Sequence, residues 1–188
     1  WLRMAAQGGD LATLAAGTHR LGGIDWRIDG ALQLSGGGPA VSLHPRMPES
    51  AWVELAPIAA RRVHVLMLLH VPMRPNATPR RAGLVRLRHV DGSVSALEIL
   101  SVRDVVTHWQ PDLAAASARI AWRGISPTSV RDGETYWHSS HVYAVSLDLP
   151  ANSAPLSALR LEIGDGPMEA PLFYAVTLEV DPPAEGVP

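Results

Sequence analysis

The fold class of this chain is decided by the stretch Leu84-Val-Arg-Leu-Arg-His-Val90, Asp91-Gly92, Ser93-Val-Ser-Ala-Leu-Glu-Ile-Leu100. Two runs rich in strand-forming residues flank an Asp-Gly dipeptide, which favours the positive φ angles of a hairpin turn. The stretch therefore predicts an antiparallel β-hairpin. The same dipeptide recurs at residues 29–30, 132–133 and 165–166, so we expect further tight turns there.

Apolar and polar residues alternate at residues 145–149, 159–163 and 174–180. Such alternation is typical of a strand with one buried face and one solvated face. Residues 63–71 are apolar almost throughout, which predicts a central strand. The sixteen Gly and sixteen Pro break helices, and the remaining helix candidates are the Ala-rich residues 4–16 and 111–119.

This pattern predicts an all-β fold, an antiparallel β-sandwich or jelly roll with one or two short helices. A closed barrel is the alternative. The 188 residues suffice for one domain. We assign residues 17–180 to the sandwich, residues 1–16 to a linker or short helix, and residues 181–188 to a disordered tail. The chain starts at Trp1, which we take as the start of an excised segment.

Composition and charge argue against several classes of function. The net charge is −2 with no block of like charge, so we expect no nucleic-acid partner. The longest apolar stretch is too short to span a bilayer, so we expect no membrane contact by this segment. Cysteine is absent, which excludes disulfides and cysteine nucleophiles. We predict no cofactor and no metal-ligating residues, although the Asp-Gly turns could supply oxygen ligands to a structural calcium ion.

Tryptophan is unusually frequent, with six Trp against one Phe. Three of them, Trp109, Trp122 and Trp137, lie in the least regular part of the chain, residues 101–140, where planar polar side chains are also found. Trp122 alternates like a strand residue, which leaves Trp109 and Trp137 as the binding candidates. Aromatic rings stack on the apolar faces of sugar rings, and their polar edges tolerate a wet site. We predict as ligand-binding residues Trp109, Trp137, Tyr136, Arg103 and Asp104. The alternative is that these tryptophans fill the core beneath long loops.

The remaining aromatic and polar candidates have simpler interpretations. Trp26 and Trp52 are expected in the core. His64 lies within an apolar run and is interpreted as a core histidine whose ring is hydrogen-bonded. No serine-hydrolase, phosphate-binding or dinucleotide-binding motif occurs, so we predict no catalytic residues.

Seven stretches carry a resemblance that covers residues 20–180. They are residues 21–28 with 32–34, 62–70, 90–92, 103–105 with Trp109, 121–124, 136–137 and 174–178. In their order they resemble a galactose-binding-like β-sandwich module of bacterial surface proteins, attached to FecR-type anti-sigma regulators, sensors or glycoside hydrolases. The chain departs from that pattern at residues 71–81, which are rich in Pro and Arg, and after Asp148.

The resemblance implies a non-catalytic module that binds carbohydrate or cell-wall glycan. It also implies an extracytoplasmic location, periplasmic or at the cell surface, with neighbouring domains of the parent chain as further partners. Two other functions stay open. The chain could be a structural or interaction domain with no small ligand. It could also be a glycan-active hydrolase, which needs two carboxylates about 5–9 Å apart and would draw them from Asp104, Asp132 and Glu134.

Overall fold

The computed structural model describes residues 14–30, 32–34, 52–70, 78–107, 119–131, 134–151, 153–164 and 170–180. These residues form strands and turns without a helix, so the all-β prediction is confirmed. The strands are β1 Gly17–Leu21, β2 Ile24–Ile28, β3 Leu32–Gln33, β4 Val53–Ile58, β5 Ala60–His70, β6 Arg81–His89, β7 Val94–Leu100, β8 Arg119–Arg131, β9 Glu134–Asp148, β10 Leu156–Ile163 and β11 Ala170–Val180.

The predicted short helices at residues 4–16 and 111–119 lie largely outside the described residues. Of these two segments, only residues 14–16 and Arg119 are described. Residues 14–16 are irregular and Arg119 begins β8. The tail at residues 181–188 also lies outside the described ranges.

Two antiparallel sheets pack as a sandwich, with strand orders β4-β10-β6-β7 and β3-β11-β5-β9-β8. Four antiparallel pairs are nested, which means that each pair encloses the next along the chain. They are β3–β11, β4–β10, β5–β9 and β6–β7. Nested antiparallel pairs distributed over two layers are the jelly-roll arrangement. Within the described ranges these two sheets share no paired strands, so this part of the chain is a sandwich and not a closed barrel.

The hairpin predicted from residues 84–100 is confirmed as β6 and β7. Its connection comprises four residues, 90–93, rather than two. Gly92 adopts a positive φ of 83°, which glycine tolerates because it has no Cβ. The Asp91 carboxylate accepts hydrogen bonds from the backbone N–H and the hydroxyl of Ser93, at 2.9 and 2.6 Å, and so closes the turn.

The central strand β5 is buried on both faces, as its continuous apolar run predicts. One face contributes Val65 and Met67 to the core between the sheets. The other contributes Leu66 to a second core on the outer face of the five-stranded sheet. The β1–β2 hairpin covers that second core with Trp26, which is 1% exposed. The prediction that Trp26 is a core residue is therefore confirmed.

Candidate functional site

The predicted ligand-binding residues lie on three different segments. Trp109 is outside the described residues. Tyr136 and Trp137 lie on β9, where the backbone pairs with β8. Arg103 and Asp104 lie in the turn that follows β7. The structure therefore describes one close pair, Arg103 with Asp104, and the grouping of all five residues stays a prediction.

Asp104 holds the turn after β7 together. Its carboxylate accepts the backbone N–H of Leu100 at 2.8 Å and the Nε and Nη2 of Arg103 at 2.7 and 2.6 Å. The residue is 8% exposed, and both of its oxygens are engaged. The hydrogen bond to Asp104 raises the pKa of Arg103. Arg103, whose side chain is half exposed, is thus the member of the pair that can reach a ligand.

The hydrolase alternative needs carboxylates that converge in one cleft. Asp104 is committed to its turn, Asp132 lies outside the described residues, and Glu134 begins β9. Convergence of these three residues therefore stays untested. Across the described ranges, no three His, Asp or Glu residues group in a way that could hold a metal ion. The structural calcium ion also stays a prediction.

Trp52 does not lie in the core, and that prediction is wrong. Its ring is partly exposed on the outer face of the four-stranded sheet. The guanidinium carbon of Arg88 lies 5.3 Å from the ring centroid, and that of Arg160 lies 6.0 Å away. Trp52 is on the side of β4 that carries Glu54, whereas Leu55 packs against the core. Cation–π contacts of this kind stabilise an aromatic ring on a charged surface.

Charged side chains surround Trp52 because β6 and β10 alternate. In β6 Val85 and Leu87 belong to the core while the residues between and after them face outward. The same alternation in β10 directs its charged residues to the same outer face. We call the resulting surface the Trp52 platform, and it consists of Trp52, Glu54, Arg86, Arg88, Arg160 and Glu162.

Ion pairs fix the geometry of the Trp52 platform. Arg88 donates to both oxygens of Glu54 at 2.6 Å. Arg86 donates from Nε to both oxygens of Glu162 at 2.9 Å, and Arg160 contacts the same carboxylate at 2.6 Å. Each guanidinium is therefore held by a carboxylate on another residue. The side chains of Arg88 and Arg160 stay about one third exposed, at 36% and 35%.

The sequence contains one signal that points to this surface. Trp52 precedes Glu54 by two residues, and residues two apart share one side of a strand. A charged residue on that side indicates a solvated face, which argues against a core position for Trp52. The interpretation of Trp52 as core rested on residue type alone.

A second polar cluster lies on the outer face of the five-stranded sheet. The ring of His64 contacts Ser146 Oγ through Nδ1 at 2.8 Å and Glu179 Oε2 through Nε2 at 3.2 Å. Glu179 is also bound by Arg61 and Arg62. Because two guanidiniums already compensate the carboxylate, we interpret this serine–histidine–glutamate row as a clamp across β9, β5 and β11. His64 is 7% exposed and hydrogen-bonded on both nitrogens, which confirms its expected role.

Comparison with protein-family models gives no match for this chain, and comparison with curated proteins gives none either. The resemblance to FecR-associated, galactose-binding-like modules therefore stays a prediction. In the part of the chain that the structure describes, no helix is long and apolar enough to cross a membrane.

Proposed function

We propose that this chain is a non-catalytic carbohydrate-binding or glycan-sensing module of a larger bacterial surface or envelope protein, outside the cytoplasm. The observation that carries the proposal is the Trp52 platform. It combines a partly exposed indole ring with guanidinium and carboxylate groups on one face of a jelly-roll sheet.

Each component of the platform matches a requirement of sugar recognition. An indole ring offers an apolar face on which the C–H face of a pyranose stacks, and its edge tolerates water. Arginine presents N–H donors in a fixed planar fork, and glutamate presents acceptors, so both can bind sugar hydroxyls. The ion pairs order these side chains before a ligand arrives, which reduces the entropy lost on binding.

The surface is open rather than enclosed, because its charged side chains are one third or more exposed, apart from that of Glu162 at 16%. Stacking on one ring and a few solvated hydrogen bonds must offset the ordering cost of association. We therefore expect modest affinity, with dissociation constants in the micromolar to millimolar range, about −4 to −8 kcal/mol.

A glycan array followed by affinity electrophoresis tests the proposal. The wild-type chain is compared with Trp52→Ala, and with Arg27→Ala as a control on the opposite side of the sandwich, where Arg27 is 80% exposed. We expect the wild type and Arg27→Ala to bind the same saccharide, and Trp52→Ala to lose at least tenfold in affinity. Thermal unfolding of each variant verifies the fold. A wild-type chain that binds no glycan on the array would overturn the proposal.

The loop residues are tested in the same assay with Trp109→Ala and Trp137→Ala. If these variants lose binding while Trp52→Ala keeps it, the ligand lies at the predicted loop site and the Trp52 platform is excluded. If all three lose binding with the fold intact, both surfaces contribute to ligand binding.

A further inference from the structure

We infer that the Trp52 platform selects acidic saccharides, specifically those that carry a carboxylate on the sugar ring, as uronic acids do. This inference rests on the proposed function and names the class of ligand. Its basis is the balance of charge and the incomplete pairing of one guanidinium beside the Trp52 ring.

The charge of the platform is opposite to that of the chain. Three arginines face two glutamates on this surface, which leaves one positive charge. The whole chain carries a net charge of −2. A local excess of positive charge on a weakly acidic protein attracts anionic ligands to that surface and raises their association rate.

The excess charge is concentrated at Arg160. Arg88 has Glu54 as its own counter-ion, and Arg86 binds both oxygens of Glu162. Arg160 shares Glu162 with Arg86 and contacts it through Nη2. The buried Nε of Arg160 has no hydrogen-bond partner among the described residues. This unpaired buried donor costs about 1–3 kcal/mol. The Arg160 side chain is 35% exposed, so the exposed part of its guanidinium, and not the buried Nε, would meet a ligand.

The position of Arg160 suits a carboxylate on a stacked sugar. Its guanidinium carbon lies 6.0 Å from the centroid of the Trp52 ring, and that of Arg88 lies 5.3 Å away. A uronic acid bears its carboxylate on the rim of the pyranose ring. Both guanidiniums lie over the Trp52 ring, so a sugar stacked on this ring would extend its carboxylate past the edge of the indole to reach the exposed parts of Arg88 and Arg160. Arginine and carboxylate form charge-assisted hydrogen bonds that are about twice as strong as neutral ones.

A matched pair of polymers tests the inference. Polygalacturonic acid is compared with the same polymer after chemical reduction of its carboxyl groups, which removes the charge and keeps the sugar backbone. We expect the wild type to bind the acidic polymer at least tenfold more tightly at low salt. Added sodium chloride should reduce this preference because exposed charge pairs are screened.

The variants locate the preference on the platform. Arg160→Gln should lower the ratio of acidic to neutral affinity at least fivefold, and Arg88→Gln is a second test should Arg160→Gln fold poorly. Trp52→Ala should weaken the binding of both polymers. Arg27→Gln removes the same charge from the opposite side of the sandwich and should leave the ratio unchanged. An equal effect of Arg27→Gln would show that net charge alone attracts the polymer and would overturn the inference.

The remaining outcomes separate this inference from the proposed function. Equal wild-type binding of both polymers, or binding of neutral glycans alone on the array, overturns the acidic preference and leaves the carbohydrate-binding proposal intact. A wild-type chain that binds no glycan of either kind overturns the carbohydrate-binding proposal itself.

Discussion

Arg86 and Arg160 stand directly opposite each other on the neighbouring strands β6 and β10. Like charges in directly opposed positions destabilise a sheet. Glu162 compensates for this by contacting both guanidiniums, at 2.9 and 2.6 Å. The 16% exposure of its side chain places this carboxylate in a less solvated environment than the arginines it contacts. The stability of the Trp52 platform thus depends on one glutamate.

Glu162→Gln should therefore destabilise the fold more than an ordinary surface substitution. Removing the carboxylate leaves Arg86 and Arg160 opposed without a counter-ion, and we expect a loss of about 1–2 kcal/mol in the free energy of unfolding. Urea denaturation measures this loss. Half a molar salt should reduce the loss, because it screens the repulsion. Glu54→Gln is the control, since Glu54 is 70% exposed and its ion pair should contribute less than about 1 kcal/mol. Equal losses for both variants would contradict the role of Glu162.

Trp26 and Trp52 lie in contrasting environments, so their substitution by Ala should lower the free energy of unfolding by different amounts. Trp26 is buried and donates its Nε1–H to the carbonyl of Leu21 at 3.0 Å, so Trp26→Ala should cost about 3–5 kcal/mol. Trp52→Ala loses two cation–π contacts on a partly exposed surface and should cost about 1 kcal/mol. Thermal and urea unfolding compare the variants directly. A Trp52→Ala loss as large as that of Trp26→Ala would assign Trp52 a structural role instead of a binding role.

The contrast between these tryptophans shows what could be predicted from the sequence. The β6–β7 hairpin and the central position of β5 follow from residues adjacent in the chain, namely an Asp-Gly turn and an uninterrupted apolar run. Which strands become neighbours in a sheet does not follow from such local patterns. The nested pairing joins β3 to β11 and β4 to β10, strands that are far apart in the sequence. The platform depends on such pairing, since Arg160 meets Arg86 through the placement of β10 between β4 and β6.

Residue type was an insufficient guide to the candidate site. Arg103 and Asp104 were predicted as ligand contacts from their planar polar groups, yet Asp104 has both oxygens engaged within its own turn. A polar side chain near the ends of strands serves either a ligand or the backbone N–H groups of a turn. Sequence alone does not separate these roles, because the difference lies in which donors the fold brings within hydrogen-bonding distance.

The Asp104 assignment is itself testable. Asp104→Asn weakens the ion pair with Arg103 while keeping an acceptor for the Leu100 N–H, and should lower the free energy of unfolding by about 1–3 kcal/mol. Because Asp104 is already satisfied, we expect saccharide affinity to stay within twofold of wild type. Arg103→Ala separates the two residues, since a loss of affinity in this variant alone would keep Arg103 at the site. A loss of affinity in Asp104→Asn with unchanged stability would contradict the structural role.

Acid should weaken the clamp on the five-stranded sheet. The hydrogen bond from Arg61, aided by the single hydrogen bond from His64 and by the charge of Arg62, holds the pKa of Glu179 below its ordinary value of 4.5. A carboxyl whose pKa is depressed in the folded state stabilises the fold above its unfolded pKa, and this contribution is lost as the pH falls through the folded value. The difference in unfolding free energy between wild type and Glu179→Gln should therefore be constant above pH 5 and shrink below pH 4.5.

Urea unfolding at intervals between pH 3 and pH 7 measures that difference. Glu98→Gln is a control, because Glu98 is a 52% exposed carboxyl that pairs with Arg81 within the other, four-stranded sheet. Its difference from wild type should be small at every pH, as expected for an exposed pair. A difference for Glu179→Gln that grows toward acid pH would have the wrong sign for a depressed pKa and would contradict the clamp.

Val102 occupies a backbone conformation that its side chain disfavours. Its φ of 69° lies in the left-handed region, which costs an L-residue roughly 1–2 kcal/mol and is a genuine outlier for a β-branched one. The hydrogen bonds of the same turn, from Val102 N–H to the Val105 carbonyl and from Asp104 N–H to the Leu100 carbonyl, impose this conformation. Glycine and asparagine tolerate this conformation, and Val102 is only partly buried, so relief of the strain should outweigh the lost valine contacts.

We therefore expect Val102→Gly and Val102→Asn to raise the free energy of unfolding by up to about 1 kcal/mol, with Asn at least as stabilising as Gly because it adds less entropy to the unfolded chain. Urea denaturation measures both variants, and Val94→Gly on the exposed edge of β7 provides the matched control for glycine in a chain position without positive φ. Val94→Gly should destabilise. If both Val102 variants destabilise by as much as Val94→Gly, the contacts of the valine side chain outweigh the strain and the prediction is wrong.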